Sequence, residues 1–187
     1  LSSGDIFRRA HTDRTLLGIQ AHDLYWGKGV LVPDDVVNNL VFERLRQHEC
    51  EPGFILDGYP RTIGQAVALN SFLVDHHQPL DAVVSFVCDE ETLVRRLTTR
   101  LTCRDCSAVY GEKITPSRAM RCDACSGQLY RRKDDAPDVV RTRLHEYKLK
   151  TAPLLNFYKD QGLLREVDSS QSMAEVTNAI LAVVCQL

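Results

Sequence analysis

Residues 53–65 read GFILDGYPRTIGQ, an apolar run followed by a turn and by the start of a helix. The run 53–56 carries no polar side chain, which predicts a buried parallel strand. Glycine and proline mark a turn at 57–61. Thr62 with Gln65 three residues later predicts a capping box, which starts a helix that extends to about Val74. A strand followed at once by a helix is the repeating unit of α/β folds.

The same alternation continues along the chain. Apolar runs predict strands at 82–88 and 163–167. Helical spacing predicts helices that begin at Asp34 and at Pro137, the latter interrupted at Pro153. Capping residues predict three more helices, with Ser3, Asp89 and Ser172 as their N-caps. We therefore expect an α/β fold, in which helices cover both faces of a parallel sheet.

The composition is that of an ordinary globular protein. Of the 187 residues, 44% are hydrophobic and 26% are charged, which excludes intrinsic disorder. The net charge of -2 gives no basic field to attract nucleic acid or a membrane surface. No apolar run approaches the roughly 18 residues of a membrane span. We expect a cytoplasmic monomer without nucleic-acid or membrane partners.

Four of the seven cysteines form two CxxC pairs with fifteen residues between them: Cys103, Cys106, Cys122 and Cys125. This spacing predicts a closed tetrahedral metal site of structural type, which supplies the folding energy of a small module. Zinc is the expected ion, and iron in the same four thiolates is the alternative. We expect the other three cysteines, at positions 50, 88 and 185, to be buried as small apolar residues.

Basic residues flank this module. Arg96 and Arg100 precede it and are predicted to share one helix face, and Arg131 and Arg132 follow it. Arginine outnumbers lysine 17 to 6. A solvated charged face or genome composition would explain the excess, but arginine is also the residue suited to bidentate phosphate binding. The position of the module predicts a lid over a polyanion.

The motifs resemble those of the adenylate kinases, nucleoside monophosphate kinases, of the long-lid, zinc-bearing type. The matching segments run in family order and lie at 1–8, 29–32, 54–65, 103–125 (with Val109 and Tyr110), 132–135, 141–147 and 151–154. The resemblance implies a P-loop-kinase-like core at 1–100 and 133–187, a monophosphate-binding helical part at about 3–50, and an inserted zinc lid at 101–132. It implies phosphoryl transfer from MgATP to AMP, giving two ADP.

The resemblance also implies roles for individual residues. Arg61, Arg100, Arg132 and Arg143 would stabilise the transition state. The AMP site would comprise Ser3, Arg8, Val30, Leu31, Val32, Gly58, Arg61, Gln65, Arg132 and Arg143. The ATP site would comprise Arg96, Arg100, Val109, Tyr110 and Gln171. Asp57 would position Mg²⁺ through water, while Asp134 and Asp135 would belong to a lid-closure network or simply start a helix.

One family motif is absent, because no GxxxxGK[ST] occurs in the 187 residues. The resemblance places this phosphate loop upstream of Leu1, on a central first strand, within a unit of roughly 30 residues. We therefore expect a truncated form of a complete enzyme that has little activity by itself; a loop-less variant is the alternative. Ser107, Leu101 and Ser169 are smaller departures, since Gly, Arg and Gly are usual there.

Other function classes stay open. An inactive nucleotide-binding or interaction protein would explain the missing loop, although five retained arginines (Arg8, Arg61, Arg100, Arg132 and Arg143) argue against a bare scaffold. A kinase for another nucleoside monophosphate is possible, and Gln65 favours adenine. A zinc-ribbon nucleic-acid binder fits poorly with the net charge of -2.

Overall fold

The computed structural model describes residues 1–112 and 114–186. Across these residues helices and short strands alternate. The α-helices are α1 (Ser3–Thr12), α2 (Leu16–Leu24), α3 (Asp34–Leu45), α4 (Ile63–Asp75), α5 (Glu90–Thr99), α6 (Pro137–Glu146), α7 (Pro153–Asp160) and α8 (Met173–Val184). The strands are β1 (Val83–Val87), β2 (Leu101–Cys103), β3 (Val109–Tyr110), β4 (Leu129–Tyr130) and β5 (Leu164–Asp168).

Two small sheets organise the described residues. Strands β1 and β5 pair in parallel, from Val83 opposite Leu164 to Val87 opposite Asp168. Strands β3, β2 and β4 form an antiparallel sheet in that order. The parallel pair confirms the predicted α/β class, and the antiparallel sheet occupies the cysteine-rich segment. The domain boundaries at 100 and 132 stay a prediction.

The predicted strand at 53–56 is not a regular strand. The segment is extended, and only one parallel bridge, between Ser2 and Asp57, is formed. The Asp57 N–H donates to the Leu1 carbonyl at 2.8 Å, and the Ser3 N–H donates to the Asp57 carbonyl at 3.1 Å. A strand needs hydrogen-bonded neighbours along its whole length. Among the described residues, only the segment 1–3 pairs with the predicted strand and the residue that follows it. The apolar sequence at 53–56 therefore predicted a longer strand than the chain forms.

Side-chain caps fix the helix starts, with two corrections to the predictions. Ser2 caps α1, whereas Ser3 is its first residue. Thr62 caps α4 by accepting from the Gln65 N–H at 3.1 Å. The Gln65 side chain, however, accepts from the Arg61 N–H rather than closing the box on Thr62. Asp89 caps α5 and a complete capping box at Ser172 starts α8, both as predicted.

Pro153 interrupts the long C-terminal helix as predicted. One π-helical stretch, at 147–151, separates α6 from α7, and the Ala152 N–H donates to the Tyr147 carbonyl at 2.8 Å. Proline lacks an N–H and its ring clashes with the preceding turn, so the widened turn accommodates it. The same turn directs the Thr151 hydroxyl to the Arg61 carbonyl at 2.9 Å. The helix break thus supports the loop that carries Arg61.

The largest buried cluster joins α1, α2, α3 and α4. Its members include Phe7, Ala21, Val37, Val41, Leu45, Tyr59, Leu69, Phe72 and Leu73. A second cluster, of Ala66, Leu154 and Tyr158, connects α4 to α7 and β5. Together these clusters hold α1, α3, α4 and the segment 57–61 around one cleft. The β1 residues Phe86 and Val87 are 55% and 47% exposed, so this strand is less buried than its apolar sequence predicts.

Among the described residues, no helix is both long and apolar enough to cross a membrane.

Candidate active site

One cleft collects most of the residues that sequence analysis assigned to AMP. It encloses about 670 Å³, part of which is open to solvent. The predicted residues that line it are Ser3, Arg8, Val30, Leu31, Val32, Gly58, Arg61, Gln65 and Arg143. These residues come from α1, the loop before α3, the turn 57–61, α4 and α6. The cleft therefore exists only once five separate segments have packed together.

The turn 57–61 requires its glycine. Gly58 has φ of +69°, a left-handed conformation that glycine adopts without strain. A Cβ at this position would lie 2.7 Å from Arg61 Nη2 and 3.3 Å from Ser3 Oγ. The Ser3 hydroxyl donates to the Gly58 carbonyl at 2.9 Å. The absence of a side chain here lets α1 and the Arg61 guanidinium approach the same point.

Three guanidinium groups point into the cleft, and each is oriented by an oxygen acceptor. Arg8 pairs with Asp5 on its own helix. Arg61 Nε donates to the Gly58 carbonyl at 2.7 Å, and Arg143 Nη1 donates to the Asp134 carbonyl at 3.2 Å. These bonds fix the side-chain directions, but among the described residues Arg61 forms no ion pair and donates only to a neutral carbonyl.

The arginines repel one another. Burial, and then the positive charges of Arg143 and Arg8, lower the pKa of Arg61, while Asp57 acts in the opposite direction. Burial, followed by the charges of Arg100 and Arg8, likewise lowers the pKa of Arg132. A polyanionic ligand would relieve this repulsion between the guanidinium groups. The cleft is therefore suited to phosphate.

Arg100 lies elsewhere than sequence analysis predicted. Helix α5 ends at Thr99, and Arg100 has an extended backbone with φ of -63° and ψ of 133°. It therefore does not share a helix face with Arg96. Its Nε and Nη2 instead contact the two carboxylate oxygens of Asp135 at 2.8 and 2.5 Å. The bidentate ion pair with Asp135 stabilises Arg100 more than one further residue of α5 would.

Asp135 is the most buried charged group of the site, with a side chain 1% exposed. Besides Arg100 it faces Arg143 Nη1 at 3.5 Å, and Asp134 faces the same nitrogen at 3.5 Å. The two aspartates form a 3₁₀ turn before α6. They are therefore not simple helix-start acids, because they connect the segment before the lid sheet to the cleft.

Arg132 does not line the cleft, but it lies close to the residues that do. Its Nε donates to the Thr102 hydroxyl at 3.0 Å, and its charge acts on Arg8 and Arg100. The four predicted catalytic arginines thus belong to one connected region.

Gln65 is buried, and both ends of its amide are engaged. Its Oε1 accepts from the Arg61 N–H at 2.7 Å, and its Nε2 donates to Asp34 at 2.9 Å. Asp34 also accepts from the Thr62 hydroxyl at 2.6 Å. Gln65 therefore braces the Arg61 loop against α3, and a contact between Gln65 and a base stays a prediction.

The residues assigned to ATP fall into two places. Arg96 Nη2 lies 3.4 Å from the Ser170 carbonyl, and Gln171 Nε2 lies 3.3 Å from Asp168, so both are at the carboxyl end of β5. Val109 is exposed on the lid sheet, whereas Tyr110 is buried in it. Asp57, the predicted Mg²⁺ residue, is exposed beside Arg61.

The four lid cysteines converge as predicted. The Sγ atoms of Cys103 and Cys125 are 3.4 Å apart, those of Cys106 and Cys122 are 3.5 Å apart, and all four lie within 4.8 Å of one another. Zn–S bonds of about 2.3 Å place tetrahedral sulfurs just under 4 Å apart. The donor set and its dimensions therefore fit a zinc ion.

Each cysteine pair is followed by a residue in the left-handed conformation. Ser107 has φ of +61° and Ser126 has φ of +62°. This explains why glycine is usual at the first of these positions. The Tyr110 hydroxyl lies 3.4 Å from Cys122 Sγ, and this hydrogen bond is the main cause that lowers the pKa of the Cys122 thiol to about 6. Tyr110 thereby favours the thiolate that binds metal.

Part of the cleft lining was not predicted from the sequence. Phe7, Trp26, Val37 and Asp134 also line it. Phe7 and Val37 were visible only as periodic apolar residues. Trp26 lies in a 3₁₀ turn after α2, a helix that the sequence did not reveal. Only one feature of the sequence singled out Trp26, namely that it is the single tryptophan of the chain.

Among the other cysteines, Cys50 is buried as predicted, whereas Cys88 is partly buried and Cys185 is exposed. The prediction for Cys185 was wrong because α8 turns that end towards solvent.

The family model described as adenylate kinase matches residues 1–163. This chain belongs to the adenylate kinase family. The adenylate kinase of Archaeoglobus fulgidus is 45% identical over 184 residues, covering 98% of this chain and 84% of the relative. That of Symbiobacterium thermophilum is 47% identical over 178 residues (95% and 82%), and that of Geobacter sp. strain M21 is 45% identical over 185 residues (98% and 86%).

Membership of the adenylate kinase family agrees with the arginine-lined cleft and with the P-loop-kinase-like α/β class. It also agrees with a four-cysteine lid, because the two CxxC pairs lie within the matched residues.

We expect the substitution Asp135→Asn to destabilise the protein by about 3 kcal/mol, because Arg100 and Arg143 lose a buried counter-charge. Urea unfolding of the two proteins measures this. The matched control is Asp138→Asn, three residues along and exposed, which should cost less than about 1 kcal/mol. Equal losses in the two variants would show that Asp135 is not a special anchor.

Proposed function

We propose that the protein catalyses reversible phosphoryl transfer from MgATP to AMP, giving two ADP. The observation that carries this proposal is the cleft in which Arg8, Arg61 and Arg143 converge, and in which burial and the charges of Arg143 and Arg8 lower the pKa of Arg61. Membership of the adenylate kinase family supports it.

AMP binds in this cleft in the proposed mechanism. Its phosphate lies between Arg8 and Arg61, and the guanidinium forks match the phosphate oxygens. The apolar side chains of Phe7, Val37 and Trp26 contact the nucleoside. The backbone at 30–32 and the buried Gln65 form the wall that the base meets.

Transfer needs positioning and charge stabilisation more than covalent chemistry. A phosphate oxygen of AMP attacks the γ-phosphorus of ATP, the bond from that phosphorus to the β,γ-bridging oxygen breaks, and ADP leaves with the electron pair. Arg100, Arg132 and Arg143 stabilise the charge on the transferred group. Asp135 holds Arg100 in place. Lid closure excludes water.

ATP binds at the carboxyl ends of β1 and β5 in this proposal. Arg96 and Gln171 contact the base there, and Val109 and Tyr110 approach it from the lid. The exposed Asp57 carboxylate would hold, through water, the Mg²⁺ that accompanies ATP. This ion neutralises phosphate charge during the transfer.

We also propose that the lid binds zinc rather than iron and that the protein is a cytoplasmic monomer whose partners are ATP, AMP and ADP. Seven free thiols support a reducing compartment. Four thiolates leave no open coordination position, so zinc there serves structure and not chemistry.

Substitution of Arg8 tests the AMP site. We expect Arg8→Ala to weaken AMP binding roughly 100-fold, the effect of losing a charged hydrogen-bond pair. The control is Arg9→Ala, because Arg9 is the next residue on α1 but its side chain is 87% exposed. Calorimetric titration with AMP should show a change of less than about twofold for this control. Equal effects of both variants would place the phosphate elsewhere.

Metal analysis of the purified protein tests the lid. We expect one zinc per chain, and Cys106→Ser should weaken zinc binding roughly 100-fold or more because one of four ligands is lost. Cys185→Ser is the control, since this cysteine is exposed and outside the cluster. Iron with visible absorbance, or zinc retained at full affinity by Cys106→Ser, would contradict the proposal.

Turnover of the 187 residues by themselves is a separate question, and an inactive nucleotide-binding protein is the second candidate. The absence of GxxxxGK[ST] from the 187 residues favours it. We propose that these residues bind AMP but transfer phosphate slowly, because no lysine and glycine loop holds the ATP phosphates.

ADP formation from MgATP and AMP by the zinc-loaded chain measures this. We expect a rate far below the roughly 1–100 s⁻¹ of kinases. Fusion of a strand–loop–helix segment that bears the GxxxxGK[ST] motif should restore the rate. An ordinary rate without fusion would mean that other residues bind the ATP phosphates, and no rate in the fusion would favour the inactive protein.

A further inference from the structure

Two histidines and an aspartate lie together between α1 and α2, outside the machinery described so far. The imidazole rings of His11 and His22 stack, with centroids 4.2 Å apart. His22 Nδ1 is 2.7 Å from an Asp23 carboxylate oxygen. One ligand atom from each of the three residues lies within 4.8 Å of the other two.

A close helix crossing brings these side chains together. A Cβ at Gly18 would lie 2.2 Å from the Ala10 carbonyl carbon and 2.4 Å from the His11 nitrogen, so the two helix backbones touch at this glycine. His22 is four residues beyond Gly18 and therefore lies on the same face of α2. The crossing at Gly18 thus directs His22 onto His11.

The His22 ring is also held on its other side. A Cβ at Gly27 would lie 3.0 Å from His22 Nε2, and the Trp26 ring meets His22 edge-on at 4.6 Å. The His22 side chain is 18% exposed, whereas that of Asp23 is 62% exposed. One edge of the cluster is therefore packed in protein, and the other is open to ions from solvent.

We propose that His11, His22 and Asp23 bind one divalent transition-metal ion. Imidazole nitrogen and carboxylate oxygen are the ligands that such ions take at about 2.0–2.2 Å. Ligand atoms around one ion lie about 3–3.5 Å apart, so the two imidazole rings turn from their stacked arrangement until one nitrogen of each faces the ion. Three protein ligands leave open positions for water, unlike the closed lid site. The proposal does not depend on the catalytic activity.

The fluorescence of Trp26 can report metal binding at this site. Its ring lies edge-on to both imidazoles, at 5.9 Å from His11 and 4.6 Å from His22. It is the only tryptophan in the sequence. A nickel ion bound at the cluster would therefore quench the intrinsic fluorescence of the protein at one known position.

The experiment uses the zinc-loaded protein without a histidine tag and titrates it with Ni²⁺ in the absence of nucleotide. We expect saturable quenching with one nickel per chain. His11→Gln and His22→Gln should each bind nickel at least about tenfold more weakly, the scale of a lost ligand interaction. Zinc content is measured in parallel, so that exchange at the lid cysteines is detected separately.

The matched control is His48→Gln. His48 faces Glu51 at 3.5 Å and so pairs an imidazole with a carboxylate, but its side chain is 92% exposed. This variant should bind nickel as the unmodified protein does. Equal nickel affinity in the His11→Gln and unmodified proteins, or loss of quenching in His48→Gln, would overturn the proposal.

A second variant guards against misfolding of the histidine variants. Asp23→Asn keeps both rings and changes an exposed side chain, and it should also weaken nickel binding about tenfold. Nickel should raise the Tm of the unmodified protein and of His48→Gln by more than that of His11→Gln, because a ligand stabilises the folded state in proportion to how tightly it binds there. A Tm increase of the same size in His11→Gln would contradict the site.

Discussion

The buried carboxylate of Asp135 is the constraint on which the arginine cluster depends. Its two oxygens contact Arg100, which leads into the first strand of the lid sheet, and one of them faces Arg143, which lines the cleft. A carboxylate with a side chain 1% exposed stabilises the fold only while these partners stay in place. The interaction therefore connects the start of β2 to the guanidinium groups around the cleft.

The positive and negative side chains around the cleft do not balance. Asp134 and Asp135 offset part of the positive charge, yet the pKa of Arg61 and of Arg132 is lowered by burial and by neighbouring arginines. If acids neutralised every arginine, phosphate would gain little by entering the cleft. If none did, the protein would lose stability through repulsion. Four aspartates (Asp5, Asp57, Asp134 and Asp135) act on five arginines (Arg8, Arg61, Arg100, Arg132 and Arg143), which leaves a small net positive charge at the cleft.

Much of this arrangement could be predicted from the sequence because it depends on local signals. Capping residues such as Asp89 and Ser172 act within one turn, and Pro153 breaks its helix by its own chemistry. The two CxxC pairs fix the metal cluster by spacing alone. Family motifs extended the prediction to the cleft, where the structure brings Ser3, Gly58 and the predicted arginines together.

Other features depend on neighbours that are distant in sequence. Helix α2 escaped prediction because its buried face consists of Gly18 and Ala21, while Leu16 and Leu24 are 73% and 57% exposed. Apolar periodicity finds a helix only when large residues face the core. Arg100 lies outside the predicted helix because it pairs with Asp135, which is 35 residues away in the sequence. The segment 53–56 lacked a neighbour long enough for a ladder.

The strands that carry the lid cysteines also carry residues of the arginine cluster. Strand β2 begins one residue after Arg100, contains Thr102, whose hydroxyl accepts from Arg132, and ends at Cys103. In the neighbouring strand Tyr130 pairs with Thr102, and Arg132 follows two residues later. Two arginines therefore lie within three residues of a lid cysteine or of its paired strand. A metal ion held by the four thiolates would fix the register of these strands, and with it the positions from which Arg100 and Arg132 extend.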